Sequence, residues 1–414
     1  MSVERRIEAI WRMESARLIA SLARLTRDVG VAEEIAQDAF VAALEQWPVE
    51  GVPPNPGAWL QTTGRHKAID RIRRDRMRDD RQLLAASDPT VSGTSDDDLL
   101  ALIFTACHPV LAREARTALT LRLLGGLSTE EIARAYLKPP ATIGQRISRA
   151  KRTLAEAKVP FETPADKAER LPAVLEVVYL IFTEGHAATS GDGWIRRDLA
   201  EEAMRLGRML TGLLPREPEP YGLVALMELQ ASRFRARVTR EGEQVLLQNQ
   251  DRARWDRTLI RHGLSALDRA IALGRPLGPY SVQAAIAACH ARAGSFETTD
   301  WEAIVALYDA LAQIAPSPVV LLNRAVAVLY ADGPEAALNA MDAVRADPRM
   351  ARHHLVGAVR ADILIALGRN AEAVDELAGA AALAPTERER DLLHDRQRRI
   401  STAITTTATT PGTR

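Results

Sequence analysis

Cysteine is nearly missing from this 414-residue chain: Cys107 and Cys289 are all it has, too few for a disulfide framework or a Cys-rich zinc site. Aromatic residues make up 4 %. Alternating runs of Val, Ile, Thr and Tyr between turn signals are also lacking, which argues against a sheet-built core. No apolar run approaches the roughly 20 residues that span a bilayer, and the first residues, MSVERRIEAIWRMESARLIA, are charged and amphipathic rather than a signal peptide. There is no G-x-x-x-x-G-K-[ST], G-x-G-x-x-G, H-E-x-x-H or C-x-x-C, so the common nucleotide, zinc-protease and thiol-redox signatures are excluded. These gaps lead to the expectation of a soluble, cytoplasmic chain with no membrane partner, no cofactor and no metal.

What is present points to helix. Ala, Leu and Arg abound, and 47 % hydrophobic content suffices for the two or three cores that this length requires. The expected class is all-α. Net charge is zero, but the charge is segregated. RHKAIDRIRRDRMRDDR, Arg65 to Arg81, sets eight Lys or Arg against four Asp, and QLLAASDPTVSGTSDDD, Gln82 to Asp98, has four acids and no base in a linker-like composition. Expected boundaries follow: a first domain over 1–82, an acidic linker over 83–97, a second helical unit over 98–158, a helical connecting domain over 170–290, helical repeats over 280–400 and a disordered Thr-rich tail over 401–414.

In the first domain Phe40, Ala43, Leu44 and Trp47 form a helical core stripe, with Glu34, Gln37 and Asp38 elsewhere on that helix. Pro48, Pro53, Pro54 and Pro56 then predict an extended loop before Trp59. Further on, Lys67, Arg71, Arg74, Arg78 and Arg81 recur at spacings of 4, 3, 4 and 3 and line one side of a helix, with Ile69 and Ile72 opposite. Such a stripe fits an acidic partner, and it equally fits a solvated surface laced with Asp. The Asp96–Asp98 run suits the cap of a following helix.

The second unit carries a sharper pattern. Ser128 and Glu131 make an S-x-x-E capping box, predicting a helix from Thr129 to about Tyr136. Pro139 and Pro140 suit the start of another, whose buried side is Ile143, Ile147, Ala150 and Leu154. Thr142, Gln145, Arg146 and Arg149 then face outward near its beginning. A basic second helix after a tight turn is what a helix-turn-helix places in the major groove, where Gln and Arg can grip base edges while Lys151 and Arg152 meet phosphates. An ordinary helical hairpin has the same outline.

Taken in order, VAEEIAQDAFVAALEQW, PGAWLQTTGRHKAIDRIRRDR, the acidic linker and LSTEEIARAYLKPPATIGQRISRAKRTL resemble regions 2 and 4 of an extracytoplasmic-function (ECF) sigma factor of the sigma-70 family, over about residues 5 to 160. The resemblance implies a non-catalytic subunit that brings core RNA polymerase to promoter DNA. Glu34, Gln37, Asp38 and Val41 would bind the clamp of the largest polymerase subunit, and region 4 would meet its flap. Asn55, Trp59, Arg65, Lys67, Arg71, Arg73 and Arg74 would open and read the −10 element; Thr142, Gln145, Arg146, Arg149, Lys151 and Arg152 would read the −35 element. Leu137 stands where many members have the turn glycine, and Gly144 lies inside the reading helix.

Residues 318–348 and 355–385 align with Gly333 over Gly368, a period of 35 to 37, and small residues Ala325, Ala337, Ala361 and Ala373 fall where paired helices approach. This pattern resembles tetratricopeptide helix pairs, with YSVQAAIAACHARAGSFETTDWEAIVALYDALAQIAP as a third and Gly294 at its turn. A concave surface for a protein or peptide partner follows. LEVVYLIFTEGHAATSGD, LLQNQDRARWDR and GPYSVQAAIAA resemble the segments that mark ECF sigma factors with such an extension, which in that group regulates or enables sigma activity. Glu184, His186, Asp192, Asp251, Arg252 and Asp256 match no ligand spacing; Arg252, Trp255 and Asp256 are expected to form a structural network. Cys107 with His108 reads as a buried thiol and a helix-end histidine. Two further classes stay open at this level: a helix-turn-helix regulator with a helical sensor domain that acts without sigma function, and an enzyme or ligand-binding helical protein built around residues 180–260.

Overall fold

The computed structural model describes residues 3–78, 96–136, 138–186, 193–237, 239, 245–385 and 387–408. Among these residues there are eighteen α-helices and no strand. The chain divides into two compact units, Met1–Pro220 with Arg240–Gln244, and Tyr221–Thr239 with Val245–Arg414. The first division in space therefore falls some sixty residues beyond the expected end of the second module.

In the first unit, α1 (Val3–Thr26), α2 (Val29–Glu50) and α3 (Pro56–Arg78) pack on one another. Asp28 caps α2, its Oδ1 accepting the N–H groups of Gly30 and Val31 at 2.7 and 3.0 Å. The buried side of α2 is Ala32, Ile35, Ala36, Ala39, Ala43 and Trp47. The expected core stripe is thus corrected. Ala43 and Trp47 belong to it, Phe40 is half-buried against Trp11 with ring centroids 4.6 Å apart, and Leu44, turned about 100° from Ala43, is exposed. Pro48 does not end the helix either. It sits in the last turn, and Gly51 closes α2 at φ 90° with its N–H on the Trp47 carbonyl.

α4 (Asp96–Ala106), α5 (Arg113–Leu123), α6 (Thr129–Ala135) and α7 (Pro140–Glu156) follow. The Asp96–Asp98 run forms the first turn of α4, where carboxylates suit the helix dipole. The capping box is present: Ser128 Oγ accepts the Glu131 N–H at 3.1 Å, and Glu131 Oε2 accepts the Ser128 N–H at 2.8 Å. α8 (Lys167–His186) and α9 (Gly193–Leu213) pack against each other and against this module. Glu176 on α8 pairs with Arg113 and Arg116 of α5 at 3.2 and 3.6 Å, and Arg205 on α9 donates to the Leu124 carbonyl at 2.6 Å. Leu171, Val174, Leu175, Val178, Ile181 and Phe182 bury the apolar side of α8, each fully buried side chain contributing about 1.5–3 kcal/mol. The expected connecting domain over 170–290 is accordingly divided: its first two helices belong to the same unit as the helix-turn-helix.

The second unit comprises α10 (Pro218–Ala231), α11 (Arg257–Ala272), α12 (Pro279–Arg292), α13 (Trp301–Ile314), α14 (Pro318–Ala331), α15 (Pro334–Ala346), α16 (His354–Ala366), α17 (Asn370–Leu383) and α18 (Glu387–Ala408). α12 with α13, α14 with α15 and α16 with α17 are successive pairs. Gly333 and Gly368 occupy equivalent turns at φ 92° and 73°, a left-handed conformation that glycine enters without strain. Ala325, Ala337, Ala361 and Ala373 are fully buried between helices. α18 carries helix as far as Ala408, into the segment expected to be a disordered tail; residues 409–414 lie outside the described residues.

Candidate nucleic-acid interface

α2 presents Glu34, Asp38 and Val41 to solvent with Gln37 half-buried beside them, and Leu44 extends the same exposed side. An apolar strip edged by carboxylates on a rigid helix is suited to dock a protein partner. Glu34 also reaches α3, where Arg71 Nη1 lies 3.3 Å from its Oε2.

α3 places the expected −10 residues unequally. Asn55 is its cap, Oδ1 accepting the Ala58 N–H at 3.0 Å. Trp59 is half-buried, edge-on to Trp47 at 5.2 Å. The packed side of the helix runs through Leu60, Gly64 and Ala68, so Arg65, Lys67 and Arg71 flank it half-buried, while Arg73 and Arg74 stand exposed. The cationic stripe is therefore not wholly free of its own domain: Arg71 is paired, and Arg74 Nε donates to the Asp70 carbonyl at 3.2 Å. The Arg78 and Arg81 side chains lie outside the described residues.

On α7, Ile143, Ile147, Ala150 and Leu154 are buried, Thr142, Gln145 and Arg149 are exposed, and Arg146 is intermediate. This is the division that the spacing predicts. Arg152 pairs loosely with Glu156 at 3.7 Å on the surface, whereas Lys151 is drawn inward to Glu33 of α2. Glu33 also accepts from Arg122 Nε at 2.6 Å and from Gln37 Nε2. Glu33 was not legible as a functional residue: the nearest signal is the Glu33–Glu34 pair, which must put one acid on each side of the helix. Leu137 lies outside the described residues. Tyr136, closing α6, is half-buried with its hydroxyl enclosed, which raises its phenol pKa, with Glu184 adding to the effect.

The other candidate chemistry resolves into structure. Burial pushes the Cys107 thiol up to about 11, partly offset by Thr120, and burial lowers the His108 imidazole, whose Nδ1 accepts the Val110 N–H. Neither group is poised for redox work. In the second unit Asp251 and Asp256 accept backbone N–H groups that open a 3-10 turn and α11. Arg252 binds the Ala293 carbonyl at 3.0 Å, the His290 carbonyl and Thr299 Oγ1, and it lies 4.8 Å over the Trp255 ring. Among the described residues no cluster of three His, Cys, Asp or Glu could hold a metal ion, and no helix is long and apolar enough to cross a membrane.

Fold and surface together define a class: an all-α protein with two helical modules, the second a helix-turn-helix, followed by stacked helix pairs. Comparison with known families agrees. Residues 11–78 match sigma-70 region 2 and residues 101–154 match sigma-70 region 4. Residues 170–271 match a family of unknown function. An uncharacterized protein of Rhizobium meliloti (strain 1021) is 44 % identical over 384 residues, covering 90 % of each chain. "Probable ECF RNA polymerase sigma factor SigI" of Mycobacterium tuberculosis is 30 % identical over 204 residues, 46 % of this chain and 66 % of that protein. The ECF sigma factor SigK of Mycobacterium sp. (strain KMS) is 28 % identical over 149 residues, 34 % of this chain and 76 % of that protein. The chain belongs to the ECF sigma factors of the sigma-70 family, in a form that carries a helical C-terminal extension.

Proposed function

We propose that, in this promoter-directing sigma factor, α2 docks on the clamp of core polymerase through Glu34, Gln37, Asp38 and Val41, α3 meets the −10 strand and α7 reads the −35 duplex. The observation that carries the reading is α7. Thr142, Gln145 and Arg149 are exposed at its N-terminal half directly behind a capped helix, while the opposite side is buried. On α3 the exposed Arg73 and Arg74, with the half-buried Arg65 and Lys67, form the cationic track that single-stranded DNA requires. Asn55 and Trp59 serve chiefly to start and seat α3, so their variants would act through the position of that helix. The repeat unit is proposed to regulate or enable initiation by binding a protein or peptide.

Run-off transcription with core polymerase tests this division. Gln145→Ala and Arg149→Ala are each expected to lower initiation at a −35-dependent promoter by about tenfold, the scale of one lost base contact. Arg73→Ala with Arg74→Ala is expected to weaken strand opening and make its salt dependence shallower, because fewer phosphate counterions are released. A chain ending at Glu217, which keeps α8 and α9, reports the role of the repeats: activity without them makes them restraining, and activity only with them makes them enabling. Full activity in all the substituted chains would overturn the assignment of α3 and α7.

A further inference from the structure

In the second unit, the turn after α10, the 245–256 segment and the end of α12 meet around one indole ring. Trp255 is 4 % exposed, and the guanidinium carbons of Arg233 and Arg252 lie 5.4 and 4.8 Å from its centroid. The two arginines are held differently. Arg252 spends its fork on the His290 and Ala293 carbonyls that end α12 and on Thr299 Oγ1. Arg233 gives its Nε to Gln250 Oε1 at 3.2 Å, and Gln250 is itself fixed by a bond to the Val245 carbonyl at 3.0 Å. Both terminal nitrogens of Arg233 are left without an acceptor among the described residues.

A cation drawn out of water is ordinarily paired with an acid, yet among the described residues no carboxylate lies within ion-pair distance of Arg233 or Arg252. The acids nearest in sequence are committed to backbone: Asp251 accepts the Ala253 N–H, and Asp256 accepts those of Thr258 and Leu259. Arg252 feels the charge of Glu297, which is exposed. Arg233 feels Arg237 and Arg252 instead, and burial together with these like charges pushes its pKa down to about 10. Two enclosed ring nitrogens, Trp255 Nε1 and His290 Nδ1, also have no partner among the described residues. The indole nitrogen can only donate, and an enclosed donor calls for an acceptor. Unmet N–H groups in a positive environment fit an oxyanion, which a guanidinium fork takes through two parallel bonds. Because Arg233 is half-buried and Trp255 almost wholly so, the group that reaches them must be small or terminal.

We infer that Arg233 and Trp255, with the Arg252 charge beside them, form a binding site for the phosphate or carboxylate group of a small molecule, held by the Arg233 fork and the Trp255 N–H. The site belongs wholly to the second unit. Its ligand would join the end of α10 to the 245–256 segment and, through Arg252, to the end of α12, so that the unit gains stability on binding. The test uses the full chain labelled with ¹⁵N-tryptophan, whose six indole N–H groups are separate probes; that of Trp255 is the signal lost in Trp255→Phe. Sodium phosphate and sodium acetate are titrated in turn, with sodium chloride holding the ionic strength constant. The Trp255 signal is expected to move saturably at millimolar anion, while those of Trp11, Trp47 and Trp59 in the first unit stay in place. A response to phosphate alone assigns a phosphate ligand, to acetate alone a carboxylate, and to both a site that takes either. Arg233→Gln is expected to weaken binding about tenfold with its helical circular dichroism unchanged. A Trp255 signal that follows neither anion, or follows them equally well in a folded Arg233→Gln chain, would overturn the site. Should Arg233→Gln fail to fold, Arg233→Lys decides, because it keeps the charge and loses the fork. Binding weaker than in the unchanged chain then supports the site, whereas binding as tight, or a second failure to fold, makes the arginine a structural part and overturns it.

Discussion

The first unit adds to its apolar cores a set of polar links between segments far apart in sequence, whereas the helix pairs of the second pack mainly on their neighbours through small apolar residues. In the first, Arg12 reaches Glu131 across 119 positions, Arg122 reaches Glu33 across 89 and Arg205 reaches the Leu124 carbonyl across 81. In the second, Arg324 meets Asp309 only 15 positions away and Arg360 meets Glu376 only 16 away, while Ala325, Ala337, Ala361 and Ala373 let helix backbones close on each other. A structure built from long-range links gains or loses them together, and a stack of repeats loses contacts mainly next door.

The largest expected effect sets these two behaviours side by side. Phe182→Ala empties a fully buried site on α8 and should cost about 3–5 kcal/mol. Hydrogen exchange should quicken throughout α4 to α7 as well, because α8 is a wall of that module. Leu377→Ala, also fully buried, should cost about 2–5 kcal/mol, with exchange quickened in α16 to α18 and little changed in α12 and α13. Equal spreading in both units would erase the contrast. The same logic bears on truncation: ending the chain near residue 160 would strip the cover from α5, whereas ending it at Glu217 would not.

Acid should act more selectively. His290 in the second unit is lowered to about 4, first by burial and then by the nearby Arg233 and Arg252 charges. Its folded value lies below its unfolded one, so the neutral form favours folding. The stability it contributes is whole above about pH 6.5 and declines as pH falls from there towards 4, by at most about 1.4 kcal/mol per pH unit. Thermal unfolding of the second unit should show that slope, and His290→Gln should flatten it. An unchanged slope would assign the acid sensitivity to other groups.

How much of this was legible follows the same division. Patterns complete within a dozen residues were readable: the Ser128–Glu131 capping box, the Ile143–Leu154 stripe, the paired turns at Gly333 and Gly368. Asn55 before Pro56 was a cap signal as well, overshadowed by its position in the −10 segment. What escaped depends on partners that no local spacing reveals. Nothing near Lys151 says that Glu33 will claim it, nothing in LEVVYLIF says that α8 will cover α5, and the stripe of Arg residues on α3 gives no sign that Glu34 takes Arg71. Ser128→Ala tests the readable part, with an expected loss of about 1 kcal/mol in the first unit by thermal unfolding.

The smallest effect has the opposite sign and separates stability from recognition. Gly144 lies inside α7, and a Cβ there would meet only Thr129 Cγ2 at 3.7 Å, an ordinary contact. Its φ is not left-handed, so no strain opposes a side chain. Gly144→Ala should therefore raise stability by about 0.5–1 kcal/mol, measured by thermal unfolding of the full chain. Gly144 is also one residue before Gln145 on the helix proposed to read DNA, where the lack of a side chain permits close approach of a phosphate backbone. If the glycine is a relic of helix sequence alone, −35 duplex affinity should be unchanged or improved as the helix firms. If it makes room for DNA, affinity should fall while stability rises, and a variant that moves the two in opposite directions would place the duplex against the N-terminal half of α7.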